Sequence, residues 1–158
     1  MRRRDALSES YPAVPEAVPA ARRALTAVAA GAGAGGERLE EIRLAVSEAV
    51  TNAVIHAYRG REAGRFHVAA AVAGGELWVL IGDDGRGLHA GNDSGGLGIG
   101  LSLISRLSDD FSIVTRASGG TEVQMRFDLN RLRVRSAAIS REGRSRPRTR
   151  RPDLASPR

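Results

Sequence analysis

The stretch that most constrains the fold runs from Glu37 to Arg59, ERLEEIRLAVSEAVTNAVIHAYR, and has the period of one long helix. Its apolar residues recur at steps of three and four, so they share one face. That face is predicted to hold Leu39, Ile42, Val46, Ala49, Val50, Ala53 and Ala57. The pattern therefore predicts an amphipathic helix with one side buried in a core.

A second stripe of the same helix is polar. Glu48, Asn52 and His56 are four residues apart and stack along one side, with Leu44 and Ile55 flanking them. A carboxylate can accept a proton, and a carboxamide oxygen can ligate a hard cation such as Mg²⁺. Polar groups beside apolar ones suggest a covered polar site. On the helix alone, the equal alternative is an exposed flank that only keeps the helix soluble.

Length and composition narrow the class of protein. A chain of 158 residues with 42% hydrophobic residues fits one globular domain. It has no cysteine, which excludes disulfides, thiolate metal sites and cysteine nucleophiles. We find no long apolar run and no signal-peptide pattern, so the sequence predicts a soluble, cytoplasmic protein with no membrane contact.

The basic charge is concentrated at the carboxyl end. All 24 basic residues are arginine, which excludes a phosphate-loop lysine or a Schiff base. Residues 131–158 hold 10 arginines against Glu142 and Asp153, whereas residues 1–130 hold 14 arginines against 16 acidic residues. The high pI therefore does not predict nucleic-acid binding by the domain. Residues 131–158 are predicted to be a disordered tail, with contact to nucleic acid or an acidic partner as the alternative.

The remaining pattern predicts seven elements between a disordered segment 1–10, with a possible short strand near Ser10–Tyr11, and the tail. They are helices Glu16–Ala30 and Glu37–Arg59, strands Phe66–Ala73 and Glu76–Ile81, helix Leu97–Leu107, and strands Phe111–Arg116 and Thr121–Leu129. Adjacent strand pairs with helices on one face indicate an α+β two-layer sandwich over residues 11–130, with a mixed, mostly antiparallel sheet.

Three glycine-rich motifs accompany the helix. Asp83-Asp84-Gly85-Arg86-Gly87 follows an apolar strand, Gly95-Gly96-Leu97-Gly98-Ile99-Gly100-Leu101 opens a helix, and Gly119-Gly120-Thr121 opens the last strand. Glycines let a backbone approach a ligand, and a helix start attracts anions. Taken singly, the first and third motifs are more simply turns, and the second is a weak signal for phosphate binding.

In combination and in this order, the helix stripe and the three motifs resemble the GHKL ATPase superfamily. The resemblance is strongest to its small stand-alone branch, the anti-sigma factors of the RsbW and SpoIIAB type, and covers roughly Pro12 to Leu129. SEAVTNAVIHAY is similar to that branch's helix motif, and LSDDFSI to its following helix-to-strand join. The fold implied is the two-layer Bergerat type.

The resemblance implies ATP and Mg²⁺ as cofactors and gives residues their roles. Asn52 would ligate Mg²⁺, Glu48 would be the general base, and Asp83, supported by Thr121, would bind the adenine amino group. His56 has only a supporting role. The backbone around the nucleotide would be provided by Gly85 and Gly87 at the adenine and by Gly96, Gly98, Gly100 and Leu101 at the phosphates.

The implied function is an anti-sigma factor that sequesters a sigma factor and phosphorylates an anti-anti-sigma protein of the STAS type on serine, acting as a homodimer. Direct DNA binding is not expected. The loop Leu88–Ser94, LHAGNDS, carries none of the basic residues that phosphorylating members often have there, and Arg86 and Arg106 are the nearest candidates. The alternative is therefore an ATP-dependent binding module that switches partners without transferring phosphate. The chain lacks room for a histidine kinase hairpin or a second domain.

Overall fold

The computed structural model describes residues 6–55, 60, 62, 64–85 and 97–131. The elements in chain order are β1 (Ala6–Pro12), α1 (Val18–Gly31), α2 (Gly36–Ile55), β2 (Arg65–Ala73), β3 (Glu76–Asp83), α3 (Leu97–Leu107), β4 (Asp110–Thr115) and β5 (Thr121–Asp128). A short 3-10 turn, Pro15–Ala17, leads into α1. The seven predicted elements are all present with small shifts at their ends, and an eighth, β1, precedes them.

The five strands form one sheet in the order β1-β2-β3-β5-β4. All four pairings among these described strands are antiparallel, and the sequence predicted a mixed, mostly antiparallel sheet. The hairpin between β2 and β3 turns at Gly74 and Gly75, which both have positive φ. The prediction of an α+β sandwich is confirmed, because the helices cover one face of this sheet.

The first strand corrects the prediction that residues 1–10 are disordered. Every residue of β1 pairs with β2, from Ala6 opposite Ala71 to Pro12 opposite Arg65. Leu7 is buried, and the ring of Tyr11 stacks on Phe66 at 5.5 Å between centroids. The sequence pattern did not predict the full strand because this segment has little apolar alternation. Backbone hydrogen bonds to β2 hold most of it in place. Residues 1–5 lie outside the described part of the chain.

The core lies between α1, α2 and the inner face of the sheet. The predicted buried face of α2 is confirmed at Ile42, Val46, Ala49, Val50 and Ala53, while Leu39 is half-buried. The inner sheet face supplies alternating residues that are nearly all fully buried: Phe66, Val68, Leu77, Val79, Ile81, Met125 and Phe127. Ala57 and His56 lie outside the described residues. Burial of the apolar face of α2 sets the rotation of the helix about its axis. It therefore fixes the direction in which the polar stripe points.

A buried ionic cluster, which the sequence pattern did not predict, joins α2 to the far end of the sheet. We call Arg38, Asp109 and Asp128 the polar junction. The Arg38 guanidinium is 7% exposed, donates to the Asp128 carbonyl at 2.9 Å and to the Leu107 carbonyl at 3.2 Å, and is paired with Asp109. It also lies 5.3 Å from the Phe127 ring centroid. The junction ties the start of α2 to the end of α3.

Only the first residue of the predicted tail, residues 131–158, lies within the described part of the chain. Arg131 pairs with Asp109 of the polar junction, and residues 132–158 lie outside the described residues. None of the helices in the described ranges is both long enough and apolar enough to cross a membrane.

Candidate functional site

The polar stripe of α2 meets the glycine motif at the start of α3. Glu48 and Asn52 are half-buried and one helical turn apart. A Cβ placed on Gly100 would lie 3.1 Å from Glu48 Oε2 and 3.2 Å from Asn52 Nδ2. Glycine therefore allows α3 to approach both side chains closely. The structure brings Glu48, Asn52 and Gly100 together, as the sequence predicted.

One atom of this cluster lacks a partner among the described residues. Asn52 Nδ2 is buried and makes no hydrogen bond to that part of the chain. A buried amide without a partner costs about 1–3 kcal/mol, so such groups usually indicate a ligand, water or ion that completes them. The alternative of a solvated flank is therefore disfavoured at Asn52, because a solvated amide would not be buried.

The start of α3 adds an anion-attracting element. The helix begins at Leu97, so Gly98 and Gly100 lie in its first turn, where backbone N–H groups have no partner within the helix. The first turn contains no acidic residue that would compete for an anion. Leu101 is partly buried against the core and holds this end of α3 in place. Gly96 lies outside the described residues.

A second cluster is centred on Asp83, the last residue of β3. Asp83 follows the buried alternation of Leu77, Val79 and Ile81, so its carboxylate points to the helix side of the sheet and is 6% exposed. Its Oδ1 accepts the N–H of Gly85 at 2.9 Å and that of Thr121 at 3.4 Å. Burial raises the pKa of Asp83, although these two hydrogen bonds oppose the rise. Gly87 lies outside the described residues.

The Gly119-Gly120-Thr121 turn is in direct contact with this cluster. A Cβ on Gly120 would overlap the carbonyl oxygen of Asp83, so the turn can approach β3 only with glycine there. Thr121 contributes its backbone N–H to Asp83 and is itself 8% exposed. The structure therefore joins two motifs that are far apart in the sequence around one buried carboxylate.

The next residue, Asp84, faces the other way. It accepts the Ser118 hydroxyl at 2.8 Å and lies 3.4 Å from His67 Nε2 and 3.7 Å from Arg116 Nε. Burial opposes its ionisation, but Ser118, Arg116 and His67 outweigh that effect and hold the pKa of Asp84 below its ordinary value. Two consecutive aspartates thus have opposite environments. The pair Asp84–Arg116 was not predicted, because it links two loops 32 positions apart in the numbering.

A separate groove of about 620 Å³ lies between α1 and α2. It is lined by Arg22, Arg23, Thr26, Ala27, Ala30, Leu39 and Arg43. Arg43 and Asn52 are about two and a half helical turns apart, so they project from opposite sides of α2. The groove is therefore distinct from the clusters at Asn52 and Asp83.

The donor set at Asn52 fits a magnesium nucleotide better than a metal held by protein alone. Within the described residues, no three His, Asp or Glu side chains lie close enough to hold a metal ion. Mg²⁺ in nucleotide sites takes few protein ligands and completes its shell with phosphate oxygens and water. Asn52 can supply one oxygen while its buried nitrogen is free to donate to a ligand.

Comparison with known proteins assigns the chain to a protein family. The family model described as the histidine kinase-like ATPase domain matches residues 11–127. The chain therefore belongs to the histidine kinase-like ATPase family, and the superfamily resemblance predicted from the glycine motifs is confirmed.

Within that family the chain belongs to the RsbW branch. It is 32% identical over 151 residues to a serine-protein kinase RsbW of Listeria monocytogenes, covering 86% of this chain and 95% of the relative. It is 33% identical over 147 residues to serine-protein kinase RsbW of Bacillus pumilus, with 82% and 90% covered.

A solved structure supports the same assignment. The structure of the RsbU and RsbW domains of a Mycobacterium tuberculosis protein matches with a TM-score of 0.63 and 29% identity. The match covers 80% of this chain and 33% of that longer chain.

Proposed function

We propose that this protein is an ATP-dependent serine kinase and anti-sigma factor. In this role it sequesters a sigma factor and phosphorylates a STAS-type anti-anti-sigma protein on serine. The observation that supports it best is the contact of Gly100 with Glu48 and Asn52, together with the buried, unpartnered Asn52 nitrogen. The relatives named above are serine-protein kinases, which favours transfer over the binding-only alternative.

In this proposal Asp83 binds the adenine amino group, and Thr121 and Gly85 hold the Asp83 carboxylate by their N–H groups. An ionised Asp83 only accepts hydrogen bonds, which suits a ligand that presents an N–H donor. Gly85 and Gly87 would leave space for the base. Gly96, Gly98 and Gly100 would offer backbone N–H groups to the phosphates, and Leu101, packed against the core, would anchor α3.

Asn52 would ligate Mg²⁺, and Glu48 would act as the general base. Bound Mg²⁺-ATP supplies the phosphoryl group and the cation that neutralises its charge. The Glu48 carboxylate would accept the proton of the substrate serine hydroxyl as its oxygen takes the terminal phosphoryl group, and ADP would leave with the bridging oxygen. The position of Glu48 on α2, one turn before the residue that would hold the metal, supports this role.

Replacement of Glu48 separates transfer from binding. Glu48→Gln should bind ATP and the sigma factor as the wild type does, while phosphorylating the antagonist about 10²–10⁴-fold more slowly, the usual loss for a general base. Labelled ATP, Mg²⁺ and candidate antagonist proteins provide the assay. Glu40→Gln, an exposed carboxylate two turns earlier on α2, is the matched control and should transfer phosphate at the wild-type rate.

Two results would change the proposal. If the wild type transfers no phosphate to any antagonist but retains ATP and the sigma factor, the chain is a binding module. If Glu48→Gln transfers at the wild-type rate, Glu48 is not the base. Sedimentation of the wild-type chain tests the homodimer that we expect in this scheme.

A further inference from the structure

Two large apolar side chains are exposed on α2 beside Glu48. Leu44 is 44% exposed and Ile55 is 49% exposed, while the core side of the same helix is fully buried at Val46 and Val50. Leu44 lies one turn before Glu48, and Ile55 lies about two turns after it, so all three project from one side of the helix. The nucleotide-binding role does not account for this pair.

The two sides of Glu48 have different surroundings. On one flank, Gly100 of α3 approaches its carboxylate. The other flank is the exposed side of α2 that carries Leu44 and Ile55. At 1.5 Å per residue, Leu44 lies about 6 Å from Glu48 along the helix axis and Ile55 about 10 Å in the other direction. A hydroxyl that reaches Glu48 from this flank arrives between the two apolar side chains.

We propose that Leu44 and Ile55 bind the segment of the protein substrate that carries the acceptor serine, with an apolar substrate side chain on each side of that serine. The inference rests on the proposed kinase function and adds a docking surface to it. A general base must come within hydrogen-bond reach of the hydroxyl, about 2.6–3.2 Å. The chain that brings the hydroxyl to Glu48 therefore covers the positions on either side of it.

The spacing also defines the recognition pattern. Leu44 and Ile55 are about 16 Å apart along the axis, which an extended segment spans in about five residues. The acceptor serine would then have one apolar residue about two positions away on one side and another about three positions away on the other. A few residues carry most of the affinity at a typical protein interface, so two anchoring side chains can account for much of the binding of such a segment.

Truncation of the two side chains tests this surface. Leu44→Ala and Ile55→Ala should each raise the KM for the unphosphorylated antagonist roughly tenfold or more, the size expected when a large aliphatic side chain loses its burial. The kcat at saturating substrate and the ATP affinity should be unchanged. Val114→Ala is the matched control, since Val114 is a 42% exposed aliphatic residue on β4, and it should leave the KM unchanged.

The outcomes distinguish this surface from its alternatives. An unchanged KM in both variants, with transfer by the wild type intact, overturns the docking assignment and leaves the kinase proposal standing. A fall in ATP affinity would place Leu44 and Ile55 in the nucleotide site instead. Loss of a dimer in sedimentation would show that a second copy covers this face. No transfer by the wild type to any antagonist would remove both proposals.

Discussion

The two ends of α2 handle buried polar groups in opposite ways. At its start, the Arg38 guanidinium donates to two carbonyl oxygens and pairs with Asp109 and Glu41. About 15 Å and 21 Å further along the helix, Glu48 and Asn52 face a glycine, and the Asn52 amide nitrogen has no partner among the described residues. Arg38 has its hydrogen-bond partners within the chain, whereas the Asn52 amide nitrogen has none among the described residues.

We propose that this difference separates polar residues that support the fold from those that bind a ligand. A buried polar group adds stability when its partners are present and costs stability when they are missing. Removing a member of the polar junction should therefore damage the fold. Removing Asn52 should damage ligand binding and leave the fold intact.

The largest stability effect is expected at Asp109. Asp109→Ala removes a partner of Arg38 and the acceptor of the Asp128 N–H at 2.7 Å. We expect unfolding in urea to show a loss of about 3 kcal/mol, the lower end for a broken buried pair because Glu41 remains beside Arg38. Glu40→Ala, which breaks the exposed pair with Arg43, is the matched control and should change stability by less than about 0.5 kcal/mol.

The same variant has a distinct pH signature. Burial opposes ionisation of Asp109, but the Asp128 N–H, Arg131 and Arg38 outweigh it and hold its pKa below the ordinary 3.8. A lowered carboxyl pKa contributes stability that is present above pH 3.8 and is lost as the pH falls through the lowered value. The stability difference between wild type and Asp109→Ala should therefore shrink below pH 3.8. A difference that stays constant in acid would contradict the ionic account of the junction.

The polar junction also shows what the sequence could not reveal. The apolar period of α2 predicted its buried face, because a helix with one apolar side has few ways to pack. Arg38 was missed because a charged residue in a first helical turn is usually solvated, and the acceptor at Asp128 lies 90 positions away. Strand β1 was predicted only as a possible short strand near Ser10–Tyr11 for a similar reason, since its stability comes from pairing with β2 and not from its own pattern.

The candidate site was predicted more completely than the junction. Helical spacing put Glu48 and Asn52 on one stripe, with a solvated flank as the equal alternative, and the roles of these residues and of Gly100 came from the family resemblance. The grouping of Asp83 with Thr121 needed the family resemblance, because no local pattern joins residues 38 positions apart. Strand register determines the hydrogen bond from the Thr121 N–H to Asp83 and the opposite orientation of Asp84. Both therefore became visible only in the fold.

A smaller effect, on affinity, is expected at Asp83. Asp83→Asn should weaken ATP binding by about 1.5–3 kcal/mol, or one to two decades in Kd, because the charged acceptor for the adenine amino group is lost. Its thermal midpoint should rise, since burial raises the pKa of Asp83 and the ionised form at neutral pH costs stability. Calorimetry measures both quantities. Asp84→Asn, one residue on and facing the other way, should bind ATP like the wild type.

The central claim is that the Asn52 side chain lacks a partner among the described residues because it binds a magnesium nucleotide. Titration of ATP with and without Mg²⁺ tests this claim most directly. Wild type should bind ATP more tightly with Mg²⁺, and Asn52→Ala should lose at least about tenfold of that tightening, as changes at metal sites commonly do. Thr51→Ala should keep it. Because the Asn52 nitrogen has no partner in the described part of the chain, Asn52→Ala should unfold no earlier than wild type. An unchanged Mg²⁺ effect in an Asn52→Ala protein that unfolds earlier would contradict the account.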